Sequence, residues 1–211
     1  MTTPIYIFNH IPRTAGGAVL SALAAEFEIV YDYLPKERSR FARWLATPVR
    51  LDQVAPGSLV AGHYTATGAR LQERYPQTND ASRFRLITFL RRPYSWCASH
   101  MRYFGANATR QAVRAHGAET GVFARTLGAL PDDPREALAS YWYVGLTEYA
   151  QTDINQLLAR LGRPPRTLEQ TNRSTRRMLS AKEKEFVRAY DQCATCDHQM
   201  YNAALAGRQA T

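Results

Sequence analysis

The sequence predicts an α/β fold, in which a mainly parallel central sheet carries helices on both faces. Two observations support this prediction. Short β-rich runs alternate with segments of helical spacing along the chain, which is typical of sheets built from parallel strands. The chain has 211 residues, 45% of them hydrophobic and 21% charged. One domain of ordinary size, residues 1–211, can therefore bury a core between these layers.

The first half of the chain contains three predicted strands and four predicted helices. Val19, Leu20 and Leu23 recur at helical spacing after the first strand. Pro93 suits the first turn of the helix that follows the third strand. The predicted strands are residues 4–10, 57–65 and 83–90, and the predicted helices are residues 16–27, 36–46, 66–75 and 93–104.

The second half is predicted to contain more helix than strand. Residues 105–135 have no firm period, and we expect them to be mostly helical. Gly162 and Pro164 end an amphipathic helix, and a polar, basic loop follows it. The predicted elements after residue 135 are a helix at 135–143, a strand at 144–148, a helix at 151–162, a loop at 163–177 and a final helix at about 180–205.

The charge composition points to an anionic ligand. The formal net charge is +9, and all but three of the 27 basic residues are arginine. Guanidinium groups bind phosphate and sulfate through two parallel hydrogen bonds. Nucleic acids, nucleotides and acidic sugars are all anions that a basic protein could bind, so composition alone does not identify the ligand.

The sequence favours a cytoplasmic protein. No apolar run approaches the roughly 20 residues of a transmembrane helix, and the first ten residues lack the features of a signal peptide. Three cysteines are too few for a disulfide scaffold. Cys193 and Cys196 have no second cysteine pair that would complete a zinc site, so we expect no metal.

The segment after the first predicted strand has the layout of a phosphate-binding loop. Gly16 and Gly17 allow close approach of an anion to the backbone, and a helix N-terminus follows. Arg13 adds a positive charge and Thr14 a hydroxyl donor. The loop lacks the lysine and the spacing of the nucleoside-triphosphate P-loop, G-x-x-x-x-G-K-[ST]. A plain turn that begins a helix is the alternative.

Two further segments follow predicted strands, where open α/β sheets bind ligands. Arg91 ends the third strand, and Ser99 lies eight residues later in the next helix. His63 follows the second strand, where a histidine can act as a general base near neutral pH. The alternatives are an exposed arginine with an ordinary helix serine, and a structural histidine.

Together these segments resemble the sulfotransferases that use PAPS (3′-phosphoadenosine 5′-phosphosulfate), and most closely the family 2 carbohydrate enzymes, which include the heparan sulfate 2-O-sulfotransferases. The family's "PKT[AG]-x-T-S" loop corresponds to residues 12–18. Its "R-D-P" motif, which a serine follows eight residues after the arginine, corresponds to Arg91 and Ser99, and its "H-G-H" motif corresponds to residues 61–63. Residues 143–162 and 172–205 resemble the family's "F-V-G-x-T-E" strand with its helix and its C-terminal segment.

The resemblance implies a P-loop-like three-layer fold, PAPS as donor, PAP as product and no metal. It also implies roles for particular residues. Arg91 and Ser99 would hold the 3′-phosphate, whereas His63 would take the acceptor proton and Arg13 would neutralise charge at the phosphosulfate. The residues implied in donor binding are Pro12, Arg13, Thr14, Ala15, Gly16, Gly17, Ala18, Arg91, Ser99, Ser174 and Arg177.

Departures from the family pattern bear on activity. Arg13 replaces the loop lysine and keeps its charge, but a guanidinium does not release a proton at neutral pH. Gly17 and Ala18 replace hydroxyl residues, and Ala61 replaces the first histidine of "H-G-H". His10, His100 and an unassigned carboxylate are rivals of His63 for the base. His10 also suits a role in shaping the turn from the strand into the loop, and His100 is rotated from Ser99 by roughly 100° on a helix.

The acceptor is expected to be a hydroxyl of a carbohydrate or glycolipid, and no nucleic-acid partner is expected. Two other functions compete with sulfuryl transfer. A nucleotide kinase of similar fold would use ATP and magnesium, but no lysine precedes Lys36. A non-catalytic, basic nucleotide- or nucleic-acid-binding protein would also explain the charge, although the arginines form no recognised binding motif.

Overall fold

The computed structural model describes residues 3–32, 48–64, 70–116, 121–128, 134–168 and 177–209. Within them, five parallel strands form one sheet in the order β2-β3-β1-β4-β5. The strands are β1 (Ile5–Asn9), β2 (Ile29–Tyr31), β3 (Leu59–Gly62), β4 (Phe84–Leu90) and β5 (Tyr143–Leu146).

Helices cover both faces of this sheet. The described helices are α1 (Gly16–Leu23), α2 (Leu71–Arg74), α3 (Pro93–Phe104), α4 (Ala106–His116), α5 (Val122–Leu127), α6 (Pro134–Ala139), α7 (Ala150–Arg160), α8 (Ala181–Cys193) and α9 (Thr195–Gln209). Short 3₁₀ turns at Pro76–Asn79 and Thr147–Tyr149 precede β4 and α7. These elements confirm the predicted parallel α/β fold.

The central strand β1 divides the core into two parts, because successive side chains of a strand point to opposite faces. Ile7 packs with Trp96 of α3 on the face that α3, α5, α8 and α9 cover. Phe8 packs with Val19 of α1 and Ile154 of α7 on the other face. The fully buried Ile7 and Phe8 thus fix the sheet between two helical layers.

The strand order places a crevice at the carboxyl end of β1. On one side β1 pairs with β3, and on the other with β4, so β2 and β3 lie on one side of β1 while β4 and β5 lie on the other. Open α/β sheets bind ligands at such a switch point. The loop from Asn9 to α1 lies directly above it.

Several predictions of secondary structure require correction or lie outside the described residues. The edge strand β2 was not predicted, and the helix predicted at 135–143 ends at Ala139 before β5 begins at Tyr143. Of the helix predicted at 66–75, the structure shows the part Leu71–Arg74 as a helix. The helix predicted at 36–46 lies outside the described residues.

The single helix predicted at about 180–205 is wrong, because α8 and α9 are separated at Ala194, whose backbone is not helical. The break lets the Asp197 carboxylate accept hydrogen bonds from the Val122 and Phe123 N–H groups at the start of α5. Tyr190 of α8 also donates to Asp197. A tertiary contact therefore overrides the local helical preference.

No helix in the described part of the chain is long and apolar enough to span a membrane. Across the same residues, no group of three or more His, Cys, Asp or Glu side chains could hold a metal ion. Cys97 is a buried free thiol, and Cys193 and Cys196 are free thiols at the end of α8 and the start of α9.

Candidate functional site

The loop between β1 and α1 adopts a strained conformation. Arg13 has φ 70° and Ala15 has φ 63°, both in the left-handed region, although neither is glycine. Such conformations cost roughly 1–3 kcal/mol each and persist where the surroundings enforce them, often at functional sites. Left-handed residues within a turn direct successive backbone N–H groups into one concavity, which suits an anion.

Three hydrogen bonds hold the loop in this shape. Trp96 Nε1 donates to the Pro12 carbonyl at 2.9 Å, and Arg91 Nη1 donates to the Arg13 carbonyl at 3.1 Å. Thr14 Oγ1 donates to the Ile11 carbonyl at 2.8 Å, and its side chain is fully buried. The structure thus uses the Thr14 hydroxyl proton within the loop.

The first turn of α1 presents unpaired backbone donors. Ala15 caps the helix without a side-chain hydrogen bond, and its carbonyl accepts from the Ala18 and Val19 N–H groups. The Gly16 and Gly17 N–H groups donate to no acceptor among the described residues. These N–H groups carry the positive end of the helix dipole, so the loop is built to receive an anion.

The structure brings together Arg13, Arg91 and Ser99, which the sequence placed up to 86 residues apart. Arg13 Nε donates to Ser99 Oγ at 3.1 Å, and its guanidinium lies 4.4 Å from the centre of the exposed Tyr103 ring. Pro93 starts α3 directly after β4, so Ser99 lies two turns along a helix that passes the loop. Ser99 is 3% exposed, and its hydroxyl therefore faces the loop rather than bulk water.

Arg13 and Arg91 form a pair of neighbouring cations. Neither guanidinium forms an ion pair with a carboxylate of the described residues. Burial lowers the pKa of both guanidinium groups. For Arg91, the charge of Glu148 partly opposes this shift, and the charge of Arg13 adds to it. Arg91 Nε is buried and has no hydrogen-bond partner in the described segments. A bound anion would satisfy that donor and offset the repulsion.

His63 lies beside the same loop, just beyond β3. Its Nδ1 lies 2.7 Å from the His10 carbonyl oxygen, and the two imidazole rings are 4.2 Å apart. Because a carbonyl oxygen only accepts hydrogen bonds, Nδ1 carries the proton, and in the neutral ring Nε2 is left with its lone pair. His63 is therefore held in the tautomer that suits a base at Nε2.

The remaining predicted residues lie elsewhere. His100 is buried in the core, where Nδ1 lies 2.9 Å from Thr109 Oγ1 and the ring packs on Trp96. Arg177 Nη2 donates to Glu183 Oε1 at 2.5 Å at the start of α8, and no hydrogen bond joins it to the loop. Ser174 lies outside the described residues.

Sequence reasoning missed two aromatic residues of the site, Trp96 and Tyr103. Both share a face of α3 with Ser99, at positions three before and four after it. This helical spacing was the signal that could have found them. The His10–His63 contact was also missed, since it depends on the register that pairs Asn9 with Gly62.

The fold matches solved sulfotransferases. Mouse sulfotransferase SULT7A1, whose structure is a complex with PAP, superposes with a TM-score of 0.50 at 10% sequence identity, covering 97% of this chain and 90% of that one. A sulfotransferase from Alicyclobacillus acidocaldarius has a TM-score of 0.52 at 11% identity, and the match covers 97% of this chain and 96% of that one. No protein-family profile and no curated protein sequence matches the chain. At these identities the likeness concerns the fold, and the chain has the P-loop-like α/β fold of the sulfotransferases.

Proposed function

We propose that the chain is a PAPS-dependent sulfotransferase, which transfers a sulfuryl group to a hydroxyl of its acceptor. One observation carries the proposal: unpaired loop N–H groups lie close to two guanidinium groups that form no ion pair with the described carboxylates, at the switch point of the sheet. A donor with two separate phosphate groups matches two separate anion positions. The mouse protein of the same fold binds PAP, which has this pair of phosphates.

The two anion positions give each end of the donor its own contacts. The backbone of residues 12–18, with the N–H groups of Gly16 and Gly17, would hold the 5′-phosphosulfate. Arg91 and Ser99 would hold the 3′-phosphate, for which the buried Arg91 Nε is an available donor. Ser174 and Arg177 remain predicted contacts, and Arg177 would first have to leave Glu183.

Transfer needs a base for the acceptor hydroxyl and stabilisation of the leaving phosphate. His63 Nε2 would take the hydroxyl proton, which typically contributes 10²–10⁴-fold to rate. The acceptor oxygen then forms the new bond to sulfur as the bond from sulfur to the bridging oxygen breaks. Preoriented loop N–H groups stabilise the negative charge that develops on that oxygen.

The finer parts of the proposal concern the acceptor and the setting. The motifs at residues 12–18 and 61–63 favour the family 2 branch, and the net charge of +9 favours an acidic or polar acceptor. We therefore propose a carbohydrate or glycolipid hydroxyl as the acceptor. Action in the cytoplasm, without a metal ion or a nucleic-acid partner, stays a prediction.

Ligand-dependent thermal stabilisation tests the proposed function. PAP should raise the melting temperature of the wild-type chain, since a ligand that binds only the folded state stabilises it by mass action. ATP with magnesium should give a smaller shift, because its 5′-triphosphate offers no group at the 3′ position. Stabilisation by ATP or by oligonucleotides, with none from PAP, would support a kinase or a nucleic-acid-binding protein instead.

A further inference from the structure

His10 is a second imidazole beside the loop, and the proposed mechanism gives its side chain no role. Its ring lies between two others: 5.3 Å from the Phe8 ring, at an angle of 7°, and 4.2 Å from the His63 ring. Phe8 is fully buried in the core under α1, so this stack rests on a rigid base. The orientation of the His10 ring is therefore fixed by packing.

The Nε2 edge of His10 faces the first residue of α1. A Cβ atom added to Gly16 would lie 1.7 Å from His10 Nε2, which means that the imidazole edge occupies the space next to the Gly16 Cα. The Gly16 N–H is one of the unpaired donors of the anion position. His10 Nε2 thus lies beside the group proposed to hold the 5′-phosphosulfate.

Arg13, the charged side chain of the loop, is directed elsewhere. Its Nε is bonded to Ser99 and its guanidinium is stacked on Tyr103, so its charge lies along α3 with the residues proposed for the 3′-phosphate. A guanidinium also keeps its protons at neutral pH. The leaving end of the donor therefore needs another proton source, and His10 is the titratable side chain of the described residues that packs against α1 there.

We propose that His10 is a further catalytic residue, which protonates the leaving 5′-phosphate. This inference rests on the proposed sulfuryl transfer. The acceptor oxygen bonds to sulfur and gives its proton to His63 Nε2. The bond between sulfur and the bridging oxygen breaks, its electron pair stays on that oxygen, and the oxygen takes the proton of His10 Nε2. The sulfuryl group moves without a change of oxidation state, and solvent restores both imidazoles.

Two variants separate proton donation from hydrogen bonding. His10→Gln keeps an N–H donor near the Nε2 position but cannot release a proton, and His10→Leu removes both functions. Conversion of PAPS to PAP with water as acceptor should fall by roughly 10²–10⁴-fold in both variants, while PAP still raises the melting temperature of His10→Gln. His198→Gln, in α9, is the matched control and should retain wild-type conversion. Wild-type conversion by His10→Gln would overturn the proposal.

A measurement on the wild-type chain makes the test independent of any variant. In the PAP complex at pH 7.5, ¹⁵N chemical shifts of labelled histidine should show both ring nitrogens of His10 protonated, because an anionic phosphate stabilises the imidazolium. An unprotonated His10 Nε2 in that complex would overturn the proposal. Failure of PAP to bind at all would instead count against sulfuryl transfer itself, so the two failures are distinguishable.

Discussion

Substitution of Arg91 by alanine should remove one of the two anion positions and largely preserve the other, because the hydrogen bonds of Trp96 and Thr14 still hold the loop. Arg91 holds the Arg13 carbonyl through Nη1 and has a buried, unpartnered Nε. Loss of a buried charged partner costs about 2–5 kcal/mol of binding energy. We expect a loss near the lower end, about 2–3 kcal/mol, because removal of Arg91 also relieves its repulsion with Arg13. That corresponds to roughly 30- to 150-fold weaker binding.

Calorimetric titration with two ligands measures this effect and locates it. PAP should lose affinity for Arg91→Ala, whereas adenosine 5′-phosphate, which has no 3′-phosphate, should bind the variant and the wild type within about threefold. Arg85→Ala is the matched control, since Arg85 lies near the start of the same strand, at the opposite end of the sheet. Equal losses for both ligands, or no loss for PAP, would refute the assignment of Arg91 to the 3′-phosphate.

Three further predictions concern the base, the loop and the core. His63→Ala should bind PAP within about twofold of wild type but lose roughly 10²–10⁴-fold of PAPS turnover; full turnover would exclude His63 as the base. Gly16→Ala should lower the free energy of unfolding by about 1–3 kcal/mol in urea titrations, since the added Cβ would lie 1.7 Å from His10 Nε2; an unchanged midpoint would contradict this packing. Burial raises the pKa of the Asp197 carboxyl from its ordinary value of 3.8 to about 6 in the folded chain. The stability that this carboxyl contributes to the fold is therefore fully present below pH 3.8 and is lost as the pH rises through 6. In denaturant titrations, the free energy of unfolding of the wild type, measured relative to that of Asp197→Asn, should therefore fall by about 3 kcal/mol between pH 3.8 and pH 6. A difference that does not change with pH would contradict the raised pKa.

The sequence predicted those parts of the fold that local patterns determine. Strand β4 follows from a mostly apolar run that only Arg85 and Thr88 interrupt, and helix α3 follows from a proline at its first turn. Strand β2 has three residues, all partly exposed, and owes its conformation to pairing with β3, which no local pattern encodes. The break at Ala194 likewise depends on a distant contact, that of Asp197 with α5.

The sequence likewise predicted some features of the candidate site and not others. Arg13, Arg91 and Ser99 were predicted to share a site because residues that follow adjacent parallel strands meet at one edge of the sheet. The use of the Thr14 hydroxyl within the loop, and the turn of Arg13 toward Ser99, depend on side-chain geometry that spacing does not determine. The stack of His10 on His63 depends on the register between β1 and β3.

The structure of the chain in complex with PAP tests the central claim most directly. The 5′-phosphate should accept hydrogen bonds from the Gly16 and Gly17 N–H groups, and the 3′-phosphate should contact Arg91 Nε and Ser99 Oγ. His63 Nε2 should face the space in front of the 5′-phosphate, where the sulfuryl group and the acceptor hydroxyl would lie. A nucleotide bound away from the loop between β1 and α1, or bound there with its 3′-phosphate in solvent, would contradict the proposed function.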